Sequence, residues 1–136
     1  MSEMIVLDTH IWIWLVNRNL DNFPGAWVDQ LASAQRIGVS PVSCYEITLA
    51  QEKGRLKLPF TVQEWFQGAL APLGIEIFPL TPSIAARAVQ LSPIHKDPFD
   101  RMIIATALEY QAKLASVDGV FSQYTELTGY LMESSG

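Results

Sequence analysis

Four acidic side chains occupy unusual positions along this 136-residue chain. Asp8 and Asp118 each follow a short apolar run, whereas Glu46 and Asp100 fall among apolar residues at helical spacing. A carboxylate beside a buried stripe is costly unless another group pairs with it. Carboxylates held close together also repel one another, and bound cations or protons relieve that repulsion. If the fold brings these four residues together, they predict an oxygen-rich cation site.

The residue types favour a hard divalent cation and the chemistry that such a cation supports. The chain has one cysteine and two histidines, so no sulfur and nitrogen ligand set matches the acids. Oxygen ligands favour Mg²⁺ or Mn²⁺ over zinc. These ions polarise a phosphate, lower the pKa of an attacking water and stabilise the leaving oxygen. The acids therefore predict metal-assisted phosphoryl transfer.

An alternation of strands and helices is predicted to position the acids. Apolar runs predict strands at residues 4–7, 37–39, 75–78, 114–117 and 130–132. Apolar periodicity and cap residues predict helices at residues 11–16, 26–36, 41–53, 62–71, 82–91 and 98–113, with a helical turn near 121–125. This order is typical of a single α/β domain over residues 1–136, built around a mostly parallel sheet of four to five strands.

Local signals at the helix starts refine this prediction. The pairs Ser40-Pro41, Thr81-Pro82 and Asp97-Pro98 each read as an N-cap followed by proline at the first helical position. Thr61 and Glu64 form a capping-box pattern, and Thr9 is predicted as the N-cap of the first helix. In open parallel sheets, ligands bind at the edge where the strands end. We therefore expect the four acids to converge at that edge.

Composition leaves a nucleic-acid substrate open. The net charge of −5 comes from 9 basic and 14 acidic residues, and without the four acids the remainder is nearly neutral. The lone Cys44 excludes an intramolecular disulfide and is typical of a reducing compartment. The apolar runs are too short to span a bilayer, and no secretion leader precedes the first strand. These features predict a cytoplasmic protein without a membrane association.

Several stretches together resemble the PIN-domain family, in particular the VapC-like ribonuclease toxins of prokaryotic toxin–antitoxin pairs. In chain order they are residues 7–10 with Trp14, 40–46, 54–56, 95–104 and 116–118. The Asp-Pro-Phe-Asp-Arg block at residues 97–101, ahead of an Ile-Ile-Ala-Thr-Ala helix, is the most specific of them. The resemblance spans nearly the whole chain in the family's order.

The resemblance implies a three-layer sandwich with helices on both faces of the sheet and the first strand central. It also implies Mg²⁺- or Mn²⁺-dependent RNA cleavage, a homodimer, and a cognate antitoxin whose tail covers the site. The implied catalytic and metal-binding residues are Asp8, Glu46, Asp100 and Asp118. Candidate supporting residues are Thr9, Ser43, His95, Asp97 and Arg101, and candidate contacts to RNA phosphates are Lys53, Arg55, Lys57 and Lys96.

Alternative roles are weighed for several of these residues. Asp97 is predicted as a helix cap rather than a ligand, and His95 as a residue that orders the loop before its helix. Arg101 either holds a phosphate or pairs with an acid. Lys53, Arg55 and Lys57 are equally well explained as solvated charges. One departure from the family pattern is Ala50, where relatives often carry a lysine, and this leaves the site more acidic.

Three other functions compete with the nuclease. A haloacid-type phosphatase needs a second aspartate two residues after the first, where this chain has His10. A response-regulator receiver needs adjacent acids after its first strand and a lysine after its last core strand, and neither pattern is present. A non-catalytic PIN-type module that binds RNA or protein is expected to have lost one or more acids. All four are retained here.

Trp12 and Trp14 fall on an early helix that is apolar all round. A core position readily explains one tryptophan, but two on roughly opposite sides of a helix favour a surface covered by another chain. The sequence therefore predicts that this helix contacts a second subunit or the antitoxin.

Overall fold

A four-stranded parallel sheet forms the centre of the fold in a computed structural model, which describes residues 3–133. Its strands are β1 (Met4–Leu7), β2 (Arg36–Val39), β3 (Ile75–Ile77) and β4 (Lys113–Ala115), in the order β3-β2-β1-β4. Every neighbouring pair of strands is parallel. The predicted α/β class and the interior position of the first strand are confirmed.

The register of β1 brings three strand ends to one edge. Val6 pairs with Gly38 on one side and with Leu114 on the other. Just past β1, the backbone N–H of Asp8 donates to the carbonyl of Ala115 over 2.9 Å. The residues that follow β1, β2 and β4 therefore emerge side by side, which is where ligands bind in such sheets.

Helices cover both faces of this sheet. They are α1 (Thr9–Val16), α2 (Trp27–Ser33), α3 (Pro41–Glu52), α4 (Val62–Ala69), α5 (Pro82–Gln90) and α6 (Pro98–Glu109). Short 3-10 helices cover Leu20–Asn22, Ala71–Leu73, Gly119–Gln123 and Thr125–Leu127. None of the helices in the described part of the chain combines the length and the apolar character that crossing a bilayer requires.

The side chains of β1 alternate between two hydrophobic clusters. Ile5 and Leu7 belong to the cluster that contains Trp12, Trp27 and Trp65 of helices α1, α2 and α4. Val6 points the other way and joins the second cluster. The residues that α6 contributes to the second cluster are Ile103, Ile104, Ala107 and Leu108. Since successive residues of a strand face opposite sides, the sheet is buried on both faces and the predicted three layers are confirmed.

The predicted helix caps are confirmed except at α1. The side chains of Ser40, Thr81 and Asp97 each accept a backbone N–H from the first turn of their helix. The prediction that Thr9 is the N-cap of α1 is wrong. Asp8 occupies that position, because its carboxylate accepts the N–H of Thr9 over 2.8 Å. The hydroxyl of Thr9 is thereby free to contact α3.

Several predicted elements are shorter than expected. Helix α2 ends at Ser33 instead of residue 36, which lies in β2, and β4 ends at Ala115 instead of residue 117. The fifth strand at residues 130–132 is reduced to one parallel bridge between Leu114 and Leu131, because Gly129, at φ +83°, turns the chain just before it. Helix α6 ends at Glu109 instead of near residue 113, because Gln111 adopts φ +53° and redirects the backbone into β4.

Trp12 is a core residue of this chain. Its side chain is fully buried, and its indole N–H donates to the carbonyl of Ala69 at the end of α4 over 3.0 Å. The rings of Trp65 and Phe66 pack against it. Trp12 is therefore the tryptophan that a core position explains, and the predicted contact of this helix with another chain stays a prediction for Trp14. Trp14 is only half-buried.

Candidate metal centre

A cavity of about 750 Å³ opens at the edge where the parallel strands end. Asp8 enters it directly after β1, and Asp118 enters it after β4. Glu46 reaches it from the second turn of α3, while Asp97 and Asp100 reach it from the start of α6. The fold thus brings together all four acids singled out in the sequence, together with Asp97.

Asp8 is the most enclosed of these acids, with 9% of its surface exposed. One carboxylate oxygen accepts the N–H of Thr9, and the other accepts the hydroxyl of Ser116 over 2.7 Å. Burial raises the pKa of Asp8, and the two hydrogen bonds oppose that rise. Both oxygens are therefore fixed in direction by neighbouring chain segments.

Glu46 is held by a short chain of hydroxyl groups. The hydroxyl of Thr9 donates to Glu46 Oε1 over 2.6 Å, and Ser43 Oγ lies 2.8 Å from the same hydroxyl. Because Thr9 has only one proton to donate, Ser43 is the donor in its contact with Thr9. Burial raises the pKa of Glu46, the bond from Thr9 lowers it, and the nearby charge of Asp8 raises it. Thr9 thus contacts Glu46 directly, and Ser43 acts on it through the hydroxyl of Thr9.

Asp100 has the most perturbed carboxyl group of the site. Burial, followed by the negative charges of Asp97 and Asp8, raises the pKa of Asp100 to about 6. A carboxylate in this environment gains a neutralising proton readily, and a divalent cation can supply the same compensation. The charge distribution of the cavity therefore favours a bound cation.

Two groups of ligand atoms share Asp100. The first group consists of ligand atoms from His95, Asp100 and Asp118 that all lie within 4.8 Å of one another. The second group meets the same limit and consists of ligand atoms from Glu46, Asp97 and Asp100. Asp97 also accepts the N–H of Phe99 as the N-cap of α6, so capping and lining the cavity are compatible. The donors are predominantly carboxylate oxygens, which fit Mg²⁺ or Mn²⁺.

His95 lies between two of the acids. Its Nε2 atom is 3.5 Å from Asp118 Oδ2 and 3.7 Å from Asp100 Oδ2. Its backbone N–H donates to the hydroxyl of Tyr124 over 2.8 Å, which fixes the loop before α6. Sequence reasoning missed Tyr124, whose pairing with a residue 29 positions earlier has no local sequence signal.

Arg101 points away from the acids and holds the segment between α5 and α6. Its guanidinium donates to the backbone carbonyls of Ala88, Val89, Leu91, Ser92 and His95. An arginine has five N–H donors, so these bonds leave none for a carboxylate or a phosphate. The predictions that Arg101 pairs with an acid or holds a phosphate are wrong, because backbone carbonyls take its donors.

Among the predicted phosphate contacts, one lines the cavity. Arg55 lies on the wall beside Ala50, whose carbonyl accepts the backbone N–H of Arg55 over 2.9 Å. Lys53, Lys57 and Lys96 are exposed and do not line this cavity. Arg55 therefore places a positively charged side chain on the wall of the cavity, next to Ala50, which has no charge.

Comparisons with known proteins agree with this geometry. The profile of the PIN domain family matches residues 5–127. Ribonuclease VapC22 from Mycobacterium tuberculosis is 30% identical over 115 residues, covering 84% of this chain and 86% of that protein.

Solved structures share the fold at lower sequence identity. VapBC2 from Rickettsia felis, bound to a DNA fragment from its promoter, has a TM-score of 0.72 at 18% identity and covers 95% of this chain and 97% of that one. FitAcB from Neisseria gonorrhoeae has a TM-score of 0.61 at 22% identity, with coverage of 96% and 98%. A toxin–antitoxin complex from Klebsiella pneumoniae has a TM-score of 0.61 at 19% identity, with coverage of 96% and 97%.

Proposed function

This chain belongs to the PIN-domain family, and from that premise we propose that it is a metal-dependent endoribonuclease acting as the toxin of a toxin–antitoxin pair. The observation that carries the proposal is the convergence of carboxylates from four separate chain segments on one cavity. Its relative of 30% identity is a ribonuclease of the VapC type. The cation and the RNA substrate are the parts of the proposal that experiments must test.

Bound Mg²⁺ or Mn²⁺ would be held by Asp8, Glu46, Asp100 and Asp118, where it would polarise the phosphate and lower the pKa of the attacking water. The protein's own contribution is to keep these acids in place. Ser116 and the N–H of Thr9 fix the two oxygens of Asp8, and the hydroxyl of Thr9 fixes Glu46. Such preorganisation avoids reordering the ligands during the reaction.

The proposed substrate is single-stranded or loop RNA. A phosphodiester must enter an edge cavity lined by acids, and an unpaired backbone can bend into such a site more easily than a duplex can. Arg55 is the basic group placed to contact a phosphate near the acids. We also propose that phosphates farther along the RNA are contacted by the exposed side chains of Lys53, Lys57 and Lys96.

The competing functions fit this site less well. A non-catalytic PIN module has no need of the complete set of acids, yet all four line the cavity here. The family match also disfavours a receiver or a haloacid-type phosphatase. Both of these would act on small phosphate donors or phosphomonoesters, which gives a simple assay to separate them from a nuclease.

The proposed partners are a cognate antitoxin and a second copy of this chain. Solved neighbours include toxin–antitoxin complexes, which supports an antitoxin here. An antitoxin segment covering the cavity would hold the enzyme inactive in the cytoplasm, where its RNA substrate is found. Co-purification with the product of an adjacent short gene tests the antitoxin, and light scattering of the isolated chain tests the homodimer.

The central experiment incubates RNA with the purified chain in Mg²⁺, in Mn²⁺ and in EDTA. We expect cleavage with either cation and none with EDTA or with Asp8→Asn. Asp29→Asn is the matched control, since Asp29 is an exposed acid on α2 outside the cavity. Cleavage that persists in EDTA and in Asp8→Asn would contradict the metal mechanism.

A further inference from the structure

The imidazole of His95 is held by three contacts with two aromatic residues. The ring of Tyr124 stacks on it at 5.6 Å between centroids and 10° between planes, and Phe121 meets it edge-on at 5.1 Å. The hydroxyl of Tyr124 lies 3.1 Å from His95 Nδ1. Phe121 is fully buried and Tyr124 is 1% exposed, so both aromatic partners of His95 belong to the hydrophobic core.

Hydrogen-bond accounting assigns the proton of the neutral imidazole. The hydroxyl of Tyr124 already accepts the backbone N–H of His95, and within residues 3–133 its hydrogen bonds are with His95 alone. Its own proton therefore has one acceptor, His95 Nδ1. If Nδ1 carried the ring proton instead, the hydroxyl would accept twice and its proton would be buried without a partner, which is unfavourable. The neutral ring thus carries its proton on Nε2.

We propose that Tyr124 makes His95 a positioning residue that directs an Nε2–H group at Asp100 and Asp118 and does not ligate the cation. The two carboxylate oxygens lie 3.7 and 3.5 Å from Nε2, close enough for electrostatic attraction from one shared donor. This holds together two acids that would otherwise repel each other. A protonated nitrogen has no lone pair for a metal, so the site keeps oxygen ligands.

This arrangement bears on which cation the proposed nuclease selects. Imidazole nitrogen suits zinc, nickel and copper, whereas oxygen ligands suit Mg²⁺ and Mn²⁺. By withholding a nitrogen ligand, Tyr124 favours the latter ions. The selection of a cation rests on the proposed function, but the position of the ring proton is a property of the protein alone.

Long-range proton–nitrogen NMR of the histidine rings tests the position of the proton, without metal or RNA and at a pH where the ring is neutral. We expect the ring proton of His95 on Nε2, and we expect it to stay there after Mg²⁺ is added. His10→Asn identifies the signals of the other histidine. A proton on Nδ1, or loss of the Nε2 proton on addition of Mg²⁺, would overturn the proposal. Because the first measurement needs no cation, an inactive protein could still confirm it.

Calorimetric titration of Mn²⁺ tests the positioning role. His95→Ala is expected to weaken Mn²⁺ binding about tenfold, at the lower end of the range for residues that orient metal ligands. His95→Gln places an amide N–H near the position of Nε2–H and is expected to stay within about threefold of the wild type. Tyr124→Phe keeps the stacked ring, and its affinity for Mn²⁺ is expected to lie between the affinities of the two His95 variants. Equal losses in the alanine and glutamine variants, or none in any variant, would contradict the proposal.

Discussion

The hydroxyl of Thr9, in the first turn of α1, donates to Glu46 Oε1 on α3 over 2.6 Å. Ser43 donates to the same hydroxyl, so the three side chains form one directed chain of hydrogen bonds. Glu46 is thereby fixed by a helix other than its own. This contact explains how a glutamate on a helix surface can be held ready for a cation.

Removing the hydroxyl of Thr9 should impair the site more than the fold. Thr9→Val keeps the shape of the side chain but frees Glu46 and leaves Ser43 without its acceptor. We expect RNA cleavage to fall about tenfold, as for other residues that orient metal ligands. Single-turnover cleavage measures this loss. Thr9→Ser restores a hydroxyl and should recover most of the activity, whereas a serine variant as impaired as the valine variant would contradict the proposed role.

Neutralising Asp100 should stabilise the protein while removing its response to metal. Its charge is disfavoured by burial and by Asp97 and Asp8. In EDTA at neutral pH, we expect Asp100→Asn to raise the unfolding free energy by about 1 kcal/mol, which is about 3 °C in melting temperature. Calorimetry with Mg²⁺ should then show no further rise. A variant less stable than the wild type in EDTA would contradict this account of the charge.

The raised pKa of Asp100 also gives the sign of a pH dependence without metal. The folded protein binds this proton with a pKa of about 6, and the ordinary pKa of an aspartate is 3.8. The folded state therefore holds more protons between these values, so the unfolding free energy of the wild type should fall relative to that of Asp100→Asn as pH rises from about 4 to about 6. Above that range the difference should be constant. Denaturant titrations of both proteins measure it, and a difference that grows in the opposite direction would show that the pKa is lowered.

Arg55 should contribute to RNA binding more than the other cations nearby. It lines the cavity, whereas Lys57 is exposed and does not. We expect Arg55→Ala to weaken RNA binding about tenfold in EDTA, compared with less than threefold for Lys57→Ala. Fluorescence anisotropy with a non-cleaved RNA measures both. Equal effects would mean that neither residue has a specific phosphate contact.

Arg101 should be required for stability. Arg101→Met leaves five backbone carbonyls without their donor, and we expect a loss of about 3 kcal/mol in unfolding free energy. Arg101→Lys offers three donors, so we expect a smaller loss of unfolding free energy in this variant. Lys96→Met is the control, because Lys96 is exposed. Denaturant unfolding measures all three variants, and an Arg101→Met protein of wild-type stability would contradict the structural role.

The parts of the fold that follow from local patterns were predictable from the sequence. Short apolar runs marked the strands, and the cap-then-proline pairs marked the starts of three helices. Asp100 and Glu46 were recognisable because an acid among apolar residues conflicts with its surroundings. The start of α1 was harder to predict, because Asp8 and Thr9 are both good N-cap residues. Their roles are distinguished only in the structure, where Asp8 accepts the N–H of Thr9 and the hydroxyl of Thr9 donates to Glu46.

Contacts between distant segments explain what the sequence did not reveal. The indole N–H of Trp12 can be buried without loss because it donates to a carbonyl 57 residues away, and no helical periodicity encodes that partner. Arg101 binds backbone carbonyls, which every residue carries, so its partners leave no mark in the sequence. Tyr124 and His95 also lie far apart in the chain. Each of these required the three-dimensional arrangement.

The bond between Ser116 and Asp8 joins residues 108 positions apart, and β1 acquires its neighbour β4 over the same separation. During synthesis Asp8 leaves the ribosome 108 residues before its partner Ser116. Contacts of such long range form late, after the loop between them has closed. A growing chain therefore cannot complete the acid-lined cavity until β4 and Asp118 have been made, so the proposed nuclease stays without its metal site while the segments before β4 are being synthesised.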